Sequence, residues 1–228
     1  MTEWHAKLNS ARELIDARET AAARVVLNEL MSFVDRTWGP EDVHLIRPLR
    51  LMATSHFCEH EPLAPENGPE VDCLRRALSI ARRRLGDDHG EVASLAGELG
   101  GALVVAGSID DGCALMTECL AIAARIGALD SFSRYFFSIG HARMAQGRPQ
   151  EALGFFEHAL AACERDRRPS VIAVARYSLG KCLRELGRFK DALVELEVAL
   201  NIAKADRRDP AFVVAVRREL ELVVRSER

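Results

Sequence analysis

Polar and apolar positions alternate along this chain with the period of helices, and the pattern returns on itself. In the stretch around residue 150, Ala152, Phe156, Ala159 and Leu160 recur at intervals of three and four, which marks one buried stripe of a helix. Gly147 precedes that helix, and Pro149 suits its first turn, where a missing N–H is no loss. Gly147 itself suits the left-handed conformation that often ends a helix. Ile139-Gly140, Gly147-Arg148, Ala152-Leu153, Ala159-Leu160 and Asp166-Arg167-Arg168 reappear 40 positions later as Leu179-Gly180, Gly187-Arg188, Ala192-Leu193, Ala199-Leu200 and Asp206-Arg207-Arg208. Forty positions earlier stands a weaker copy, Leu99-Gly100, Gly107, Gly112 and Cys119-Leu120. Each copy reads as two helices joined at a glycine, with small residues where the helices approach.

Extended along the chain, the register predicts helix pairs over residues 3–36, 40–84, 89–126, 129–166 and 169–206. The 40–84 pair is interrupted by His60-Glu61-Pro62-Leu63-Ala64-Pro65-Glu66-Asn67-Gly68-Pro69, whose prolines and glycine call for an enlarged turn. Asp209-Pro210 opens a last helix, Ala211 to Arg225, and its Phe212, Val213, Val216, Leu220 and Val223 can cover the end of the stack. Arrays of this kind need such a cap, because one unit cannot bury its apolar face alone. The last helix is apolar enough that a homodimer through it is an alternative use of the same face.

The chain resembles the tetratricopeptide repeat (TPR) family, whose signature is a Leu-Gly pair, a turn glycine and an Ala-x-x-x-aromatic-x-x-Ala run. Ile139, Gly140, Gly147, Ala152, Phe156 and Ala159 carry the resemblance in one copy, and Leu179, Gly180, Gly187, Ala192, Leu196 and Ala199 in the next. The family's aromatic after the glycine is replaced by Arg143 and Leu183, and the period exceeds the usual one of about 34. Long repeats, with junctions such as Trp38-Gly39-Pro40-Glu41-Asp42 and Leu85-Gly86-Asp87-Asp88-His89, are similar to the kinesin light chain subgroup. The resemblance implies an all-α fold. It would be a right-handed superhelical α-solenoid of about five antiparallel helix pairs plus a C-terminal capping helix. As a single domain over 1–228 it would hold divergent repeats in 1–86, clearer ones in 89–206 and the cap in 209–226.

The resemblance also places function. First helices of TPR pairs line a concave groove, and carrying those offsets over assigns to it Arg134, Phe137, His141 and Met144, then Val174, Tyr177, Lys181 and Arg184. The preceding repeat contributes Ser94, Gly97, Gly101 and Val104, and the one before it Arg47, Arg50, Thr54 and Phe57. Such a groove is basic and aromatic. It suits a protein or peptide partner with an acidic or C-terminal segment, since arginine holds carboxylates bidentately and aromatic rings anchor side chains. The competing expectation is that Phe137 and Tyr177 pack internally and that Glu98 and Glu185 neutralise some of the cations. Family members that clamp a chaperone's acidic tail have Asn where Gly101, His141 and Lys181 stand, so that partner is not expected. A scaffold or adaptor is the leading reading, and a regulatory sensor whose superhelix changes shape on binding a peptide is the alternative.

Composition narrows the field. With 31 Lys plus Arg against 34 Asp plus Glu, the net charge of −3 argues against nucleic acid, which is bound through clustered positive charge. No apolar run reaches the roughly 20 residues a membrane span needs. The opening residues Met1-Thr2-Glu3-Trp4-His5-Ala6-Lys7 lack a secretion signal's apolar core, so a soluble, cytoplasmic chain without membrane insertion is expected. Six scattered cysteines without a C-x-x-C pair suggest buried free thiols rather than zinc or redox chemistry. His56-Phe57-Cys58-Glu59-His60 formally matches H-x-x-E-H, in which His56 and His60 would bind zinc and Glu59 act as base. Three specified residues at a helix end, with no third ligand in view, make only a weak case for a metallohydrolase. The expectation is therefore no enzyme and no cofactor. Arg82-Arg83-Arg84, Arg165 with Arg167-Arg168, and Arg207-Arg208 fall at helix C-termini, where cations meet the negative end of the helix dipole.

Overall fold

The computed structural model describes residues 2–58, 68–206 and 209–227, apart from the side chains of Thr2 and Asp166. These residues form α1 (Thr2–Asp16), α2 (Thr20–Thr37), α3 (Ile46–Phe57), α4 (Pro69–Leu85), α5 (Gly90–Val105), α6 (Ile109–Arg125), α7 (Arg134–Ala145), α8 (Pro149–Asp166), α9 (Pro169–Glu185), α10 (Phe189–Ala205) and α11 (Pro210–Ser226). Short 3-10 turns span Val43–Leu45 and Leu129–Phe132. No strand occurs among the described residues. The fold is an all-helical solenoid of paired helices, as the 40-residue period predicts. Two compact units divide it, Met1–Phe132 with α1 to α6 and Ser133–Arg228 with α7 to α11. In both, each helix packs on the next one along the chain.

The helix boundaries follow from local chemistry. Pro69, Pro149, Pro169 and Pro210 each occupy the first turn of a helix. At the α7 end, Gly147 has φ +68°, its N–H donates to the Met144 carbonyl at 3.0 Å, and the next N–H, of Arg148, reaches back to Arg143 at 2.9 Å. This pair of bonds satisfies carbonyls that the helix leaves open. The same pair closes α1, but there the left-handed residue is Arg18, at φ 63°. The 40–84 pair starts later than the sequence suggests. Asp42 accepts from the His44 N–H at 2.9 Å and shapes a 3-10 turn before α3, and that backbone bond lowers its carboxyl below the usual range, with burial opposing. The enlarged turn expected over 60–69 falls, up to residue 67, outside the described residues.

Packing within a pair rests on one repeated contact. A Cβ added to Gly140 would lie 2.7 Å from the Phe156 ring, and one on Gly180 would lie 2.6 Å from Leu196. On Gly100 it would meet the backbone oxygen of Gly112 at 2.6 Å and Met116 at 2.8 Å. Met116, Phe156 and Leu196 are among the most deeply buried side chains. In α5 and α6 the fit is tighter still, because Gly112 takes the place of Ala152 and Ala192 and brings two backbones together.

Arginines at the ends of second helices do more than meet a dipole. Arg82 Nη2 donates to both carboxylate oxygens of Glu118 at 2.7 Å, linking α4 to α6, and Arg125 Nε donates to Asp88 at 2.7 Å. Arg83 pairs with Glu41, and Arg84 Nε donates to the Glu41 carbonyl at 3.0 Å. Arg207 and Arg208 lie outside the described residues. Among the described residues, no helix is long and apolar enough to cross a membrane.

The glycine contact yields a paired test. Gly140→Ala is expected to lower stability by about 1–3 kcal/mol, since Phe156 must move in a filled core. Gly154→Ala, in the same helix pair but with open space around its Cα, is expected to raise it by up to about 1 kcal/mol through helix propensity. Urea unfolding of the two variants beside the parent checks both signs.

Candidate functional site

The second unit carries the more complete part of the expected groove. The faces of α7 and α9 present Phe137 and His141 on one side and Ser170, Val171 and Val174 on the other. With Asp209, just before α11, they line a cleft of about 530 Å³. Phe137 is partly buried against the core, so its outer edge alone faces the cleft. The polar rim is mostly held in place. Asp209 Oδ1 accepts from the Ala211 N–H at 2.9 Å, capping α11, and His141 Nε2 lies 3.3 Å from the Ser178 hydroxyl. The His141 ring also meets Phe156 edge-on, with centroids 5.0 Å apart.

Lys181 stands out among the expected cations. It follows Val174 and Tyr177 on the same face of α9, and its Nζ lies 5.5 Å from the centre of the Tyr177 ring. Among the described residues it forms no ion pair. Burial, and after it the nearby Lys181 charge, push the His141 imidazole below its usual range.

Other members of the expected site are already engaged, which corrects the picture of a generally basic surface. Arg184 Nε donates to Glu219 of α11 at 3.0 Å, and its Nη2 lies 2.8 Å from Glu185. Tyr177 is half-buried, packs edge-on against Phe212 of α11 at 5.5 Å, and its hydroxyl is pushed up by burial and by Glu219. Arg134 donates to the Tyr135 hydroxyl at 2.7 Å.

In the first unit Arg50 donates to Glu98 at 3.0 Å through Nε and to Glu91 at 2.9 Å through Nη1. Burial opposes its charge, yet the two carboxylates outweigh that and raise its pKa. Arg47 and Phe57 are exposed, and Phe57 ends α3. Gly97 is buried, and Val104 stands against Gly112, so neither offers bare backbone to a ligand. Gly101 has open space over its Cα in that helix.

Of the H-x-x-E-H residues, His56 lies on α3, while Glu59 and His60 fall outside the described residues. Among the described residues no three potential ligands converge on a metal position. Ser170, Val171 and Asp209 line the cleft without a signal in the repeat offsets, because their part in it depends on how α9 and the start of α11 pack. Asp209 carried a signal in the Asp-Pro that opens α11.

Residues 135–205 match the model of the tetratricopeptide repeat family. Among solved structures, the putative kinesin light chain TPR-like repeats of Podosopora anserina are 19% identical, over 90% of this chain and 97% of that one, with a TM-score of 0.74. The apo form of RapI is 12% identical over 90% of this chain and 72% of its own, at a TM-score of 0.75. A Rap protein solved with Competence and Sporulation Factor is 15% identical over 97% and 71%, at 0.53. No curated protein matches the chain. Identities this low establish a shared fold.

The histidine gives a pH test of this geometry. A proton NMR titration is expected to place His141 below the ordinary histidine range, and Lys181→Gln is expected to move it upward without abolishing the shift from burial. Because the folded-state pKa is the lower one, the unfolded chain takes up the proton first. This residue's contribution to stability therefore falls as the pH drops below about 6.5 and levels off below the folded pKa.

Proposed function

We propose that this tetratricopeptide-repeat chain is a non-enzymatic binding module that holds a segment of a partner protein in the cleft between α7 and α9. The observation that carries the reading is the pairing of a preformed apolar cleft with the cation of Lys181 near its edge. Phe137, Val171 and Val174 offer about the volume of a large side chain or two, and Lys181 stands beside them with no carboxylate of its own. An apolar residue seated in the cleft, followed or preceded by a carboxylate that reaches Lys181, satisfies both features. Desolvated groups of this kind dominate binding energy, while ion pairs at the rim tune rate and specificity.

The preference for an acidic segment rests on Lys181 rather than on Arg184, which is tied to Glu219 and Glu185, or Arg50 of the other unit, which is tied to Glu98 and Glu91. Likeness in fold to a Rap protein solved with a bound factor, and to kinesin light chain repeats, supports a role in recognising proteins or peptides. Contacts between α11 and α9 favour a fixed arrangement of the second unit over a ligand-driven change of shape. Arg184 and Glu219, together with Tyr177 and Phe212, fasten α11 to α9.

Affinity capture from the native source tests the reading. Lys181→Glu and Val174→Asp, made separately, are each expected to lose the main partner captured by the parent chain. Lys190→Glu, an exposed charge change at the start of α10, is expected to keep it. Retention of the partner by both cleft variants would move the binding surface elsewhere.

A further inference from the structure

Both tryptophans of the chain lie at one end of the first helix pair, far from the cleft just described in sequence and in a different unit. Trp4 on α1 and Trp38 just after α2 line, with Val25, Leu30 and Phe33, a cleft of about 660 Å³. Its floor is buried, Trp4 being 6% exposed and Leu30 2%. Its walls are not: Val25 is 60% exposed, Phe33 45% and Trp38 37%. The Phe33 and Trp38 rings meet edge-on at 5.6 Å, and Trp38 lies against His44 at 4.4 Å, so the exposed aromatics are held in place rather than free to fold away. A pre-ordered apolar patch that joins a projecting ring to a hollow has the form of a protein-binding surface.

The charges around the patch say what covers it. Two acids and two bases line the cleft, so its rim is neutral. Lys7 and Glu29 pair with each other at 3.5 Å. Glu3 and Arg36 are exposed and form no ion pair among the described residues. A strongly acidic or basic partner would leave one of them facing its own sign. Glu3 stands at the start of α1 and Arg36 at the end of α2, and the two helices run side by side in opposite directions, so both lie at the aromatic end of the patch.

We propose that this face binds a second copy of this chain, related by a two-fold axis that passes between the start of α1 and the end of α2. That operation sets Glu3 of each copy over Arg36 of the other and brings Phe33 and Trp38 of one copy onto the hollow of its partner. A two-fold interface must be complementary to itself, and a patch with its own knob, hollow and opposite charges meets that requirement. This surface differs from α11, where the sequence alone suggested pairing. There the exposed Val214 and Val224 flank a helix whose Val216 and Val223 already pack inward.

Sedimentation equilibrium of the full chain is the test. A monomer–dimer equilibrium is expected, and tryptophan emission should shift to shorter wavelength as dimer forms, since both indoles lie at the contact. Phe33→Glu is expected to weaken dimerisation by at least about tenfold. Arg36→Glu should weaken it too, and the double variant Glu3→Arg with Arg36→Glu should restore it, a rescue that a merely misfolded chain would not show. Val214→Glu with Val224→Glu on α11 should leave it unchanged. A chain that stays monomeric at every concentration, a dimer that survives Phe33→Glu, a dimer lost with the α11 variant, or a charge swap that fails to rescue would each overturn the proposal.

Discussion

The contact between a glycine on the first helix of a pair and a bulky side chain sixteen residues on is the constraint from which the rest of this structure follows. Gly100 with Met116, Gly140 with Phe156 and Gly180 with Leu196 repeat it at a 40-residue spacing. A hydrogen in place of a methyl lets the second helix come close enough to bury its large residue completely. The depth of that approach aims the outer faces of α7 and α9. Phe137, His141, Val174 and Lys181 form one surface because Gly140 and Gly180, on the same two helices, face the other way into their own pairs.

Charge is organised by a second rule. Most arginines beside a carboxylate on a neighbouring helix are tied to it, as in Arg82 with Glu118, Arg176 with Glu195, Arg50 with Glu98 and Arg184 with Glu219. These partly buried pairs position helices more than they stabilise them, since desolvation cancels much of the attraction. The residues left over become informative for that reason. Lys181 beside the α7–α9 cleft, and Glu3 with Arg36 at the end of the first pair, are charges for which the fold supplies no counter-ion among the described residues.

Paired and unpaired cations could not be told apart from local pattern. Glu98 is legible as a neutralising group because it lies on a helix already assigned to the same wall. Glu219 is not, because it sits 35 positions after Arg184 on a helix whose rotation about its axis no repeat fixes. Gly97 and Val104 show the same limit on a smaller scale. Both were assigned to the groove by offset, and one is buried while the other stands against Gly112, because the glycine-to-glycine contact of α5 and α6 draws that pair closer than its neighbours. In the aromatic patch only Trp38 belonged to a repeat junction, and Trp4 and Phe33 had no repeat signature.

By itself the sequence determined the helices, their pairing and most of their ends, the starts of α3 and α7 excepted. These depend on short-range chemistry: proline in a first turn, glycine at positive φ, and small residues recurring every 40 positions. Tertiary structure alone decided which side chains stay available. Availability depends on what a neighbouring helix places within about 3 Å of a charged or aromatic group, and hydrogen bonds and ion pairs form or fail over that distance. A shift of one helix by less than a turn is invisible in the period of the sequence, yet it is enough to pair Arg184 and leave Lys181 open.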